Sequence, residues 1–186
     1  MTALPNLFSP LEVGPMTIAN RIMMPGMSAG QMLDENCHPL PEMIAYFAER
    51  AQAEPGLMAV GASQVVPLEP PYRMPLVLFE DGVIEPLARL VEGVKQYDTK
   101  FGIQLWDGGV QAGSPVKLSP SGIGSVAQAV GDLRTQSSVK VLSTEEIGDV
   151  VGHFAGAARR CALAGFDFVE IHAGHGYLIG AFLSSH

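Results

Sequence analysis

Four times along the chain, a short and mostly apolar run is followed by a stretch whose apolar residues recur at helical spacing. The runs are residues 22–24, 56–60, 101–106 and 166–171. The helical stretches carry Met43, Ile44, Phe47, Ala48 and Ala51, then Leu87, Leu90, Val91 and Val94, then Ile147, Val150, Val151, Phe154, Ala158 and Cys161, and a last one starts at Tyr177. Strands apolar along both sides are buried on both sides, so the pattern predicts an α/β fold with a helix-covered parallel sheet. Two architectures satisfy it: an open doubly wound sheet, and part of a (β/α)8 barrel. A complete barrel takes roughly 200 to 250 residues, so four units make half of one. Periodicity alone does not choose between them.

Punctuation supports the same division. Residues 7–20 alternate weakly and turn at Gly14-Pro15, which predicts a leading hairpin. Pro25-Gly26 is expected to end the first strand, and Pro41 sits where a first helical turn accepts proline. A proline-rich loop covers 67–75, and a long connection covers 107–142. Ser143 with Glu146 three residues on predicts a capping box, and Gly165 is placed to end that helix.

Composition narrows the partners. The 186 residues are 47% hydrophobic and 16% charged, as in a packed globular protein. A net charge of −8 repels phosphate backbones, so nucleic acid is not an expected partner. No apolar run approaches the roughly 18 residues that span a bilayer, so no membrane partner is expected. Residues 1–5 lack the basic region of a secretory signal, and Cys37 and Cys161 read as free thiols, which together predict a cytoplasmic protein.

In both architectures function sits at the carboxyl ends of the strands. Those ends are Pro25-Gly26-Met27-Ser28, then Gly61-Ala62-Ser63, then Gln104 running into Asp107-Gly108-Gly109, then His172-Ala173-Gly174-His175-Gly176-Tyr177. Small residues at three of the four suggest a bulky or flat group against the backbone. His172 and His175, three apart, would face opposite ways on an ideal strand, but the glycines let the chain bend and the rings converge. Two imidazole N–H groups on one carbonyl or phenolate oxygen would stabilise its developing negative charge, and Tyr177 adds a weak acid.

Blander readings stand beside these. The cluster can be a histidine-rich turn satisfied locally. His172, His175 and Asp107 form a two-histidine, one-carboxylate set by type, but nothing in the sequence brings Asp107 to the histidines, and no metal is expected. Residues 122–127 match G-x-G-x-x-A by letter but follow Ser119-Pro120-Ser121 rather than a strand, so they are rejected as a dinucleotide loop. Cys161 reads as core; His153 and Arg159 read as a solvated helix face.

Taken in order, residues 7–11, Asn20-Arg21-Ile22, Gln104-Leu105-Trp106, residues 143–147, 165–178 and 182–184 resemble the old yellow enzyme family, more closely its branch of 2,4-dienoyl-CoA reductases and bacterial ene-reductases. The resemblance implies the N-terminal half of a (β/α)8 barrel, four β/α units after a β-hairpin, spanning 1–186. It also implies FMN at the carboxyl face, with NAD(P)H as reductant. Pro25, Gly26, Met27 and Ser28 would line the flavin edge, Ala62 would pack near its pyrimidine side, and Gln104 would hydrogen-bond the ring. His172 and His175 would hold a substrate carbonyl and Tyr177 would deliver a proton, giving hydride transfer through FMN to an activated alkene.

Three departures qualify the match. Asp107-Gly108-Gly109-Val110 stands where the family often has His-Ala-Gly-Arg. Gly61 stands where it usually has glutamate. The family also continues with four more β/α units that hold the FMN phosphate. A half barrel exposes two strand edges and an apolar face, so the chain is not expected to work alone: it pairs with a second chain carrying the other half, self-associates, or is a fragment of a longer gene product. The alternatives are an amine or C–H dehydrogenase like trimethylamine dehydrogenase, and a non-catalytic half-barrel subunit.

Overall fold

The computed structural model describes residues 4–28, 31–67, 75–112, 116–121 and 138–185. The chain opens with a hairpin, β1 (Leu11–Val13) and β2 (Met16–Ile18), paired antiparallel. Gly14 turns it at φ 56°, a left-handed value that glycine takes without Cβ strain.

The main sheet follows. It contains β3 (Met23–Met27), β4 (Leu57–Gln64), β6 (Lys100–Trp106) and β9 (Phe168–Ile171), in that spatial order, each pair parallel. Between them run α1 (Pro41–Ala51), α2 (Ile84–Val94) and α3 (Thr144–Ala164), and α4 (Leu178–Leu183) follows β9. This is four β/α units in sequential order, as the periodicity predicts.

The boundaries differ from expectation in specific places. Pro25 and Gly26 do not end the first strand. β3 continues through them to Met27, because the register shifts between Met24 and Met27 and an irregular strand tolerates a residue without an N–H. After the proline loop, a two-residue strand, β5 (Leu76–Val77), joins the sheet by pairing in parallel with Ser63 and Gln64 at the end of β4. The long connection is not structureless: β7 (Val116–Ser119) and β8 (Ser138–Val141) pair in parallel within it. Residues 68–74 and 122–137 lie outside the described residues, and with them most of the proline loop and the rejected glycine motif.

Polar side chains lock the strand starts in register. Asn20 Oδ1 accepts from the backbone N–H groups of Ile22 (3.1 Å) and Gly56 (2.9 Å), and its Nδ2 donates to the Glu54 carbonyl at 2.8 Å, joining β3 to β4. Asp167 does the same between β9 and β6, accepting from Phe101 N at 2.9 Å and from Lys95 Nζ at 3.2 Å. Ser143 and Glu146 form the capping box of α3, and Gly165 closes that helix at φ 95°.

One side of the sheet, with the helices, holds the core: Met43, Phe47, Met58, Val60, Leu87, Leu90, Phe101, Ile103, Leu105 and Cys161 are buried. Burial pushes the Cys161 thiol up to about 12, so it packs as a small hydrophobe. Cys37 is likewise a buried free thiol. On the other side of β6 and β9 most residues are more exposed, and several are polar. Gly102 makes room for the ring of Phe168, whose nearest atom would lie 2.3 Å from a Cβ at 102. Beyond that pair, Gln104, Trp106, Glu170 and His172 are all half-buried.

Both edges of the main sheet, β3 and β9, have a single partner strand among the described residues. Beside β9, α3 and α4 frame an apolar groove of about 310 Å³ lined by Val150, Val151, Phe154, Ile171, Leu178 and Phe182. Val151 is 62% exposed, Ile171 49%, Phe182 41% and Leu183 74%, so large apolar side chains stand open to solvent beside this edge. Among the described residues no helix is long and apolar enough to cross a membrane.

Candidate active site

The carboxyl ends of the four strands bring the predicted residues to one edge of the sheet. Gly26 of β3 and Gly61 of β4 flank Gln104 of β6. A Cβ on Gly26 would lie 3.1 Å from the Gln104 amide, and one on Gly61 would lie 2.5 Å from its Cβ. The two strands therefore yield space to one side chain. Gln104 Nε2 donates to Glu170 Oε1 at 3.0 Å, which fixes the amide and leaves its oxygen open. Glu170 is a site residue that the sequence reading misses. Its signal is a carboxylate two residues before His172, hence on the same side of β9.

Backbone curvature brings the histidines together. His175 has φ 57° and Gly176 φ 71°, so the chain turns sharply between His172 and Tyr177. The imidazole centroids lie 5.0 Å apart, with His175 Nδ1 3.2 Å from His172 Nε2. Tyr177 stands edge-on to His172 at 4.9 Å and to Trp106 at 5.2 Å.

The proton positions follow from one hydrogen bond. Gly174 N–H donates to His172 Nδ1 at 3.3 Å, and a backbone N–H can only donate. In the neutral ring His172 therefore carries its proton on Nε2, which donates to His175 Nδ1. His175 then carries its own proton on Nε2. Burial, reinforced by the neighbouring His175 and opposed by Glu170, lowers the His172 pKa from its ordinary 6.5 and favours this neutral state.

Asp107 does not join the histidines. Its carboxylate is 5% exposed and accepts from Gln64 Nε2 at 2.6 Å and from Gly109 N at 2.8 Å. Burial raises its pKa, against the hydrogen bonds from Gly109 and Gln64 and the charge of His153. The two-histidine, one-carboxylate reading thus fails on geometry: both oxygens are engaged elsewhere. Among the described residues no cluster of three or more metal-ligating side chains occurs.

Five buried side-chain polar atoms lack a hydrogen-bond partner among the described residues: Ser63 Oγ, Gln64 Oε1, Trp106 Nε1, Glu170 Oε2 and His38 Nε2. Four of the five belong to the carboxyl halves of β4, β6 and β9. Buried polar groups are ordinarily satisfied, so their concentration here marks an edge shaped for a group with its own donors and acceptors. Pro25, Met27 and Ser28 are exposed at this edge, and Ala62 is half-buried. That set fits a flat heterocycle with alternating N–H and C=O groups, including a flavin.

Comparison with known proteins gives a consistent result. The pattern of the NADH:flavin oxidoreductase / NADH oxidase family matches residues 6–186. An NADPH dehydrogenase of Bacillus subtilis (strain 168) is 37% identical over 179 residues, 96% of this chain and 51% of that protein. Among solved structures, the Old Yellow Enzyme from Pichia sp. AKU4542 superposes with a TM-score of 0.80 at 26% identity, over 97% of this chain and 49% of its own. Morphinone reductase in complex with tetrahydroNAD superposes with a TM-score of 0.82 at 27% identity, over 97% and 53%. The chain spans about half the length of each of these relatives.

Proposed function

Because the chain belongs to the NADH:flavin oxidoreductase / NADH oxidase family, we propose that it forms the substrate-facing half of an FMN-dependent ene-reductase that uses NAD(P)H. The observation that carries this reading is the convergence of Gln104, His172, His175 and Tyr177 at one sheet edge, beside unsatisfied buried polar atoms. FMN, when bound, would supply the hydride chemistry that links NAD(P)H to the β-carbon of an activated alkene. The complex of morphinone reductase with tetrahydroNAD supports a nicotinamide reductant.

This chain's residues hold and orient. The backbone of Pro25, Gly26 and Met27, the Ser28 hydroxyl, Ala62 and the Gln104 amide would hold the flavin. Glu170 keeps one Gln104 N–H engaged, so the amide presents its oxygen and its second N–H in a fixed sense. A substrate carbonyl oxygen takes the Nε2–H of His172 in place of His175 Nδ1. With the His175 proton shifted to Nδ1, the same oxygen gains a second donor. Tyr177, stacked edge-on between His172 and Trp106, holds the proton delivered to the neighbouring carbon.

The activity needs a second half-barrel, supplied by a longer form of this polypeptide, by another chain or by a second copy. The single-partner edges β3 and β9, the apolar groove beside β9 and the doubled length of the relatives support this. A cytoplasmic setting belongs to the same reading.

The test is the native assembly. Its mass should exceed the 19.7 kDa of this chain, and its visible spectrum should be that of bound flavin. Anaerobic NAD(P)H oxidation should depend on 2-cyclohexenone, and a tertiary amine should not reduce the bound flavin. A colourless monomer, or flavin reoxidised by no enone, sinks the proposal.

A further inference from the structure

We propose that Gln111 is a positioning residue for the histidine pair, holding His175 in the left-handed turn that sets its ring against His172. The inference rests on the functional reading above only for its purpose; its test requires neither flavin nor substrate.

A non-glycine residue at φ 57° is uncommon and persists when its surroundings hold it there. The hold on His175 is visible. Gln111 Nε2 donates to the His175 carbonyl at 2.7 Å, and the same nitrogen lies 3.2 Å from where a Cβ on Gly176 would stand. One amide thus closes on both residues of the turn.

Gln111 is itself anchored to the sheet. Its N–H donates to the Gly108 carbonyl at 2.9 Å, forming a short 3-10 turn over Gly109–Gln111. Gly109 N–H donates to Asp107 Oδ1, and Asp107 Oδ2 accepts from the fully buried Gln64 of β4. Leu178 N–H donates to the Asp107 carbonyl at 3.2 Å, and Gly109 presses against Leu178 so closely that a Cβ would lie 3.0 Å from its N and Cα. A continuous bridge therefore runs from the core of β4 through Asp107 and the 3-10 turn to the backbone of His175. This bridge occupies the segment where the chain departs from the family's His-Ala-Gly-Arg. Gln111 is exposed, so replacing its side chain opens no cavity.

Without the Gln111 donor, His175 leaves the left-handed region and its Nδ1 leaves His172 Nε2. Each ring then loses the partner that selects its tautomer.

Long-range 1H–15N correlation spectra of the full chain read this out. In the wild type, His172 and His175 should each show a single Nε2–H tautomer. In Gln111→Ala and the isosteric Gln111→Glu, which cannot donate, His175 should average over both tautomers and the His172 pKa should rise toward 6.5. Gln111→Lys restores a donor and should restore the wild-type signals. His153 on α3 serves as the fold control and should not move. If Gln111→Ala unfolds, Gln111→Glu carries the same comparison. Wild-type tautomers and pKa in both donor-less variants would overturn the proposal, as would mixed tautomers in the wild type. Absence of enone turnover alongside the stated shifts removes the functional reading and leaves the positioning role standing.

Discussion

Gly61 and Gln104 share a space that holds only one side chain: a Cβ on residue 61 would lie 2.5 Å from the Cβ of Gln104 and 3.3 Å from its Cα. A Cβ has no rotamer by which to escape, so Gly61→Ala must push β4 and β6 apart. We expect a loss of about 3 kcal/mol, the upper end of overpacking costs, read as a lower urea midpoint. Gln104→Ala should not relieve it, because the offending Cβ remains, whereas Gln104→Gly in the same background should recover much of the loss. Equal midpoints for Gly61→Ala and wild type would show that the strands yield freely.

Asp107 makes a second prediction with two signs. Both of its oxygens accept from donors, Gln64 Nε2 and Gly109 N. Asparagine offers one oxygen and one donor, so Asp107→Asn sets two donors face to face and should cost about 1–3 kcal/mol at neutral pH. Burial also raises the wild-type carboxyl above its ordinary 3.8, against the hydrogen bonds from Gly109 and Gln64. The folded state therefore keeps its proton where the unfolded chain has lost it, and stability falls as pH rises from 3.8 through the raised value. Asp107→Asn should lack that fall. Urea unfolding of both proteins between pH 3 and pH 7 separates the two; parallel curves would remove the buried carboxylate as their cause.

The repeating strands and helices are legible in the sequence because burial on both sides writes itself as apolar runs, and the capping box at Ser143 and Glu146 is local chemistry. The passage of β3 through Pro25 is not, since the register shift that permits it is set by β4. The β7–β8 pair is hidden for a related reason: its partners are separated by residues 120–137, and no local pattern records a pairing across that distance. At the site, His172, His175 and Tyr177 are visible as types that carry chemistry. Glu170 and Gln111 are not, because each acts through a contact distant in sequence, Glu170 on Gln104 and Gln111 on the His175 backbone. Asp107 resembles a potential ligand by type for the same reason: its partner Gln64 lies on another strand.

His172 gives a pH prediction of opposite sign to Asp107. Its pKa is lowered from 6.5, first by burial and then by His175, with Glu170 opposing. The unfolded chain therefore binds a proton that the folded chain refuses, so stability falls as pH drops below 6.5 and the full cost is present below the lowered value. Urea midpoints at pH 7.5 and pH 5.5 should differ more in the wild type than in His172→Gln, which has nothing to titrate there. An identical difference in both proteins would show that His172 is not perturbed by folding.

The exposed face beside β9 sets the last prediction. Val151 and Phe182 line a groove between α3 and α4, and at 62% and 41% exposure they leave much apolar surface in water. Burying such surface gains about 25 cal/mol per Å², so a partner that covers the groove gains from each apolar side chain it meets. A carboxylate there would have to be desolvated to be covered, at a cost of several kcal/mol without a paired cation. Val151→Asp with Phe182→Asp should therefore abolish association while leaving this chain folded, since neither side chain belongs to the buried core. Light scattering after gel filtration should give more than 19.7 kDa for the wild type and 19.7 kDa for the double variant. Association unchanged by both substitutions would move the partner surface away from this groove, leaving the open edge of β3 as the place to search.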